Sequence, residues 1–140
     1  MLKIAVSGGF DPLHIGHVRM IQEAKSYGDK LVVILNNDNW LMKKKGHVFM
    51  PEEERKEILL ALRDVNEVIL TEHPPNPTDM SVCHILERIY PYMFCNGGDR
   101  KENNIPEYET CYGMKIMLKF NVGGGKIQSS SWLTDKTKSD

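Results

Sequence analysis

The chain has 140 residues, the common size of one domain, and folding at that length buries roughly 70% of the unfolded surface, enough for a single core. Its 18 basic and 19 acidic residues leave a formal charge of -1 and a pI near 6.5, so there is no broad positive field to hold a polyanion, and nucleic acid is not an expected partner. Hydrophobic residues at 41% and charged residues at 26% give a globular balance, and no apolar run approaches the roughly 18 residues of a membrane span.

From the N-terminus, Leu2 to Ser7 is a short apolar run that ends in Gly8-Gly9, too short for a secretory signal and suited to a first strand. Val18, Ile21 and Ala24 at helical spacing predict a helix over 17–27, with Gly28 where a C-terminal cap would stand. Leu31 to Leu35 is continuous and β-branched, as in a strand covered on both faces. A short Trp40-Leu41-Met42 segment and a loop bearing Lys43, Lys44 and Lys45 follow. Pro51 and the acidic run Glu52 to Glu54 suit a helix start, and Ile58, Leu59 and Leu62 give that helix, over 51–63, an apolar stripe. Val68 to Leu70 reads as a strand, and Asp79 as the cap of a helix carrying Val82, Ile85, Leu86 and Ile89. Tyr92 to Asn96 reads as a strand, Pro106 as the start of a short helix, Lys115 to Phe120 as a last strand, and Ser129 to Leu133 as the start of a terminal helix.

This alternation predicts a single α/β domain over 1–140: a Rossmann-like, open, mostly parallel five-stranded sheet with helices on both faces. Ligands of such sheets bind at the C-terminal ends of the strands. Cys83, Cys95 and Cys111 are odd in number, scattered and without a CxxC pair, which disfavours a disulfide framework or zinc knuckle and suits a cytoplasmic protein with semi-buried thiols.

Chemistry concentrates in Gly8-Gly9-Phe10-Asp11-Pro12-Leu13-His14-Ile15-Gly16-His17, between the first strand and first helix. Gly8, Gly9 and Gly16 let backbone approach an anion, the helix presents its positive end, and His14 and His17 can face one phosphate group. A dinucleotide GxGxxG fingerprint is absent, since Phe10 and Asp11 follow the glycine pair. Lys43 to Lys45 can meet phosphate oxygens as point charges. Gly97, Gly98 and Asp99, with Asn96, can fold around a base or sugar, and Ser129, Ser130 and Ser131 can offer hydroxyls and helix N-terminal N–H groups to phosphates.

GGFDPLHIGH resembles the G-x-F-D-x-x-H-x-G-H signature of the HxGH nucleotidyltransferases. The resemblance continues through Asn36-Asn37-Asp38, KKKG, PEEERKEIL, CNGGD and SSSWL over nearly the whole chain. In length and layout it is nearest to the small cytidylyltransferases of the glycerol-3-phosphate type and to the adenylyltransferase domain that makes ADP-heptose. The resemblance implies transfer of CMP or AMP from CTP or ATP to a small phosphorylated polyol or sugar, with release of pyrophosphate. It assigns His14, His17, Lys44 and Arg55 to catalysis, with Lys45 the second choice among the lysines. It assigns Gly8, Gly9, Phe10, Asp11, Gly16, Lys45, Asn96, Gly97, Asp99 and Ser129 to Ser131 to nucleotide binding. Mg²⁺ would be held mainly through nucleotide phosphates, with Asp11 able to help place it or orient the motif and no protein-only metal cage. A homodimer is expected, with Val48, Phe49 and Met50 as candidate interface residues. Asn121 to Lys126 replaces an arginine-containing segment of the cytidylyltransferases, and Trp132 follows the serines where the NAD-forming branch has a basic residue. Pantetheine-phosphate and mononucleotide adenylyltransferases are alternatives, as is a nucleotide-binding sensor. A metal-dependent hydrolase using Asp11, His14 and His17 lacks a further ligand set at recognised spacing.

Overall fold

A run of apolar side chains on both faces of a strand is stable only where helices cover both faces of its sheet, and β2, Lys30–Leu35, carries such a run, with Leu31 to Leu35 fully buried. The computed structural model describes residues 1–97 and 105–124. Around β2 it arranges β1 (Lys3–Gly8), β3 (Glu67–Leu70), β4 (Met93–Gly97) and β5 (Met117–Val122) in the order β3-β2-β1-β4-β5. Every pairing in this sheet is parallel. The expected open α/β sheet is therefore present, and it is wholly rather than mostly parallel.

Among the described residues the helices are α1 (Ile15–Lys25), α2 (Asp38–Lys45), α3 (Glu52–Leu60), α4 (Cys83–Ile89) and α5 (Tyr108–Met114). The twofold period of the strands sorts side chains into two layers. Ile4, Val6, Leu31, Val33 and Leu35 pack with Met20, Ile21 and Ala24 of α1 and Leu59 of α3. Ala5, Ile34 and Phe94 pack with Ile85 and Leu86 of α4 and Cys111 of α5. Each fully buried aliphatic side chain contributes about 1.5–3 kcal/mol, so a one-residue slip of β1 or β2 would scramble both layers.

Several element ends differ from the sequence expectation, each for a local reason. The first helix starts at Ile15, two residues early, because His14 caps it, and it stops at Ser26 rather than at Gly28. Gly28 is needed for space: a Cβ there would stand 2.6 Å from both Ile4 Cγ1 and the Leu2 carbonyl oxygen. Asp79 accepts from Ser81 N in the turn before α4 and does not cap that helix, whose cap is Val82. The segment with the lysines is a helix, α2, bounded by Asn37, whose side chain accepts from Trp40 N, and by Gly46 in the left-handed conformation. With only Leu41 buried in eight residues, it has no apolar stripe for periodicity to detect. The terminal helix expected at 129–133 lies outside the described residues. Cys95 and Cys111 are buried, Cys83 is half-buried, and all three are free.

The order of strands reverses between β1 and β4, whose C-terminal ends, Gly8 and Gly97, flank the switch point, with Val122 of β5 paired to Gly97. The end of β5 is fastened to α1. Gly123 N donates to Glu23 Oε1 at 2.8 Å, and Tyr27 donates to the same carboxylate. Gly123 has φ +90, and a Cβ there would lie 2.8 Å from Met20 N and Cα. Gly123→Ala combines left-handed strain with a backbone collision, and denaturant unfolding should show a loss of at least about 2 kcal/mol.

Candidate active site

The loop between β1 and α1 is organised by its two histidines. His14, extended at φ -139 and ψ 177, is the N-cap of α1, and its Nδ1 accepts from Gly16 N at 3.1 Å. His17, one turn on, returns the bond, with its Nδ1 accepting from His14 N at 3.2 Å. The i, i+3 spacing is thus that of a reciprocal helix cap made by imidazoles instead of by a hydroxyl and a carboxylate. The rings stack, with centroids 3.8 Å apart and planes inclined by 23°. Phe10, buried and at φ 50, meets the His17 ring edge-on at 4.7 Å and fixes its tilt.

Because each Nδ1 accepts a backbone N–H, each neutral ring carries its proton on Nε2. Protonating Nδ1 would break the cap. Burial, then the charge of Lys45, lowers the pKa of His14. Burial, then His14, then Lys45, pushes that of His17 down to about 3. Both are therefore neutral at pH 7, each with an Nε2–H to donate.

Lys44, the lysine favoured from the sequence, is exposed, whereas Lys45 is partly buried and is the one that acts electrostatically on both histidines. Burial lowers the pKa of Lys45 itself, opposed by Asp11 and reinforced by Arg55. Lys43 turns away and donates to Asn76 Oδ1 at 2.8 Å.

Arg55 and Asp11 are engaged with protein groups. The Arg55 side chain is 0% exposed. Its Nε donates to Met50 O at 2.9 Å, one terminal nitrogen donates to Gly9 O and Asn36 O at 2.7 Å each, and the other pairs with Asp38 Oδ1 at 2.7 Å. Four of its five N–H donors are thus committed to the protein. The sequence expectation is a catalytic contact; in this arrangement the guanidinium holds four protein acceptors, with one N–H donor left. Asp11, also buried, accepts from Phe49 N at 2.7 Å and Met50 N at 2.6 Å, one on each carboxylate oxygen. It orients the segment after α2 through one hydrogen bond on each oxygen. Among the described residues no three His, Cys, Asp or Glu side chains gather as a metal-binding group.

Gly9 lies under α2, where a Cβ would come 2.9 Å from Leu41 Cδ2, and Gly97 lies against Met20 Sδ and the Val122 carbonyl, at 3.0 and 3.1 Å from a Cβ position. Asn96 is buried, and among the described residues its Nδ2 has no hydrogen-bond partner; the same holds for Oδ1 of Asn36. Gly98, Asp99 and Ser129 to Ser131 lie outside the described residues. Sequence reading gave no site role to Asp38, to Glu52, which accepts from Asp38 N at 2.8 Å, or to the linked Asn37, Thr71 and His73 at the same end of the sheet. The polar run Asn36-Asn37-Asp38 after an apolar strand was the available signal.

A folded-state pKa below the unfolded value means that the unfolded chain binds more protons between about pH 3 and 6.5, so the histidines' contribution to stability, full above pH 6.5, is lost as pH falls through that window. Denaturant unfolding across it should be flatter for His17→Gln than for the parent, and ¹⁵N NMR at pH 7 should find both imidazoles protonated on Nε2.

With this geometry in view, the likeness to known proteins is specific. The cytidylyltransferase-like family model matches residues 5–126. The FAD synthase of Pyrococcus abyssi is 34% identical over 100 residues, 71% of this chain and 64% of that protein. The Thermococcus kodakarensis FAD synthase is 37% identical over the same shares. The bifunctional protein HldE of Geobacter metallireducens is 31% identical over 137 residues, 95% of this chain and 26% of that protein. The chain thus spans 64% of the length of the FAD synthases and about a quarter of HldE. A lipopolysaccharide core biosynthesis protein from Thermoplasma volcanium has the same fold, with a TM-score of 0.70 at 23% identity over 86% of this chain and 96% of that one. A parallel sheet of order 3-2-1-4-5 with an HxGH loop at its switch point, matched across residues 5–126, makes this chain a member of the cytidylyltransferase-like family of nucleotidyltransferases.

Proposed function

We propose that the chain transfers AMP from ATP to a phosphate monoester, a flavin mononucleotide or a sugar phosphate, with release of pyrophosphate. The single observation that carries the chemistry is the stacked histidine pair with both Nδ1 atoms locked as acceptors. ATP rather than CTP is favoured by the relatives, FAD synthases and the HldE protein. The segment Asn121 to Lys126, which differs from the arginine-containing stretch of cytidylyltransferases, points the same way.

An acceptor phosphate is largely dianionic near neutral pH, so its oxygen can attack the α-phosphorus without a general base. The new phosphoanhydride forms as the bond from the α-phosphorus to the bridging oxygen breaks, and pyrophosphate carries that electron pair away. What the protein must supply is position and charge stabilisation. Neutral Nε2–H donors on His14 and His17 fit this role better than bases would, since each can bond developing negative charge without taking up a proton. Lys45 adds positive charge beside them, and the N-terminus of α1 adds its dipole. Gly9, Gly97 and Asn96 border the crevice where the nucleoside would lie, and Ser129 to Ser131 remain candidates for the β- and γ-phosphates. A divalent cation, held by phosphate oxygens and water, would offset the charge of the triphosphate. A homodimer belongs to this reading: of the candidate interface residues Val48, Phe49 and Met50, Phe49 is exposed and the other two are half-buried, and Ile15 and Met42 are further exposed apolar side chains.

Pyrophosphate release should be measured with ATP and CTP against flavin mononucleotide, heptose 1-phosphate and glycerol 3-phosphate, each with Mg²⁺. Turnover with ATP and one of the first two acceptors is expected. Turnover confined to CTP would replace the donor, and tight ATP binding with no transfer to any acceptor would favour a sensor. In the active pair, His17→Ala should lower kcat about a hundredfold or more, the cost of a lost transition-state donor. Lys45→Ala should cost more activity than Lys44→Ala.

A further inference from the structure

We propose that Arg55 is a positioning residue of the transfer reaction: its buried guanidinium locks the start of α2 and the 46–51 segment onto the loop bearing His14 and His17, and so sets where Lys45 stands. The inference rests on the nucleotidyl-transfer reading. Arg55 lies in the first turn of α3 and reaches four segments at once. Gly9 O belongs to the histidine loop, Asn36 O to the end of β2, Asp38 Oδ1 to the first turn of α2, and Met50 O to the segment after α2. Glu52, three residues earlier in the same turn, holds Asp38 N, so α3 grips the start of α2 by both backbone and side chain. From the other side, Asp11 in the histidine loop holds Phe49 N and Met50 N. The start of α2 and the segment that follows the helix are thereby tied to the loop it must face, and Lys45 is the last residue of that helix.

Direct phosphate binding by Arg55 would have to reach the one N–H donor left on a side chain that is 0% exposed, and pulling the guanidinium out to meet a phosphate would strand buried carbonyls. The same donors explain why arginine stands here: a lysine carries one nitrogen and cannot span four acceptors in a plane.

The test compares Arg55→Lys, Asp38→Ala and the double variant with the parent, using ATP and the active acceptor. Asp38 is about one-third exposed, so Asp38→Ala remains informative if Arg55→Lys unfolds. Positioning predicts that each single variant lowers kcat about tenfold to a hundredfold, the range a small misplacement costs. KM for ATP should change less than threefold, and the double variant should be no slower than Arg55→Lys. It also predicts that, without nucleotide, the NMR titration midpoint of His14 moves up toward 6.5 in both single variants as Lys45 drifts. A rise in KM for ATP at constant kcat in Arg55→Lys, with Asp38→Ala unaffected, would instead mark a direct phosphate ligand and overturn the proposal. Unchanged histidine titration in the folded variants would overturn it too. An inactive parent would sink the transfer reading, and the histidine titration would still decide the clamp.

Discussion

A guanidinium with no access to water must be met by acceptors, and around Arg55 those acceptors come from four separate pieces of chain. The charge could not be buried otherwise, since an unpaired buried ion costs several kcal/mol. The consequence runs outward. The end of β1, the end of β2, the start of α2 and the segment after it converge on one point, and the histidine loop inherits that rigidity through Gly9 and through Asp11. A single desolvated cation thus does for the crevice what the apolar layers do for the sheet.

The two histidines show how a binding motif can also be a folding motif. Their Nδ1 atoms accept from the Gly16 and His14 backbone N–H groups at the start of α1, which fixes the tautomer and leaves an Nε2–H on each ring. Burial and the neighbouring lysine keep the rings neutral. Positive potential at the crevice therefore comes from Lys45 and the helix end, while the imidazoles contribute as dipoles. A chain of formal charge -1 can in this way present an anion site without any broad basic face.

Much of this was legible in the residues. Apolar runs of four to six residues alternating with helical stripes gave the α/β class, and GGFDPLHIGH gave the site and its phosphate chemistry. What escaped was whatever lacked a period or depended on a partner far along the chain. The helix α2 has one buried residue, so only its caps, Asn37 and Gly46, announced it. Gly28 resembled a helix cap because nothing local revealed its approach to Ile4. Asp79 resembled a cap because a carboxylate before an apolar stripe usually is one.

The sequence by itself determined the parallel sheet, the placement of an anion-binding loop after its first strand, and the pairing of His14 with His17, because each depends on spacing within a few residues. The tertiary structure alone decided that Lys45 rather than Lys44 stands against the histidines, and that Arg55 and Asp11 are buried on backbone and carboxylate partners from distant segments. Those outcomes are set by which groups are buried together across 17 to 46 residues of chain, where local spacing carries no information and desolvation settles which partners a charge must find.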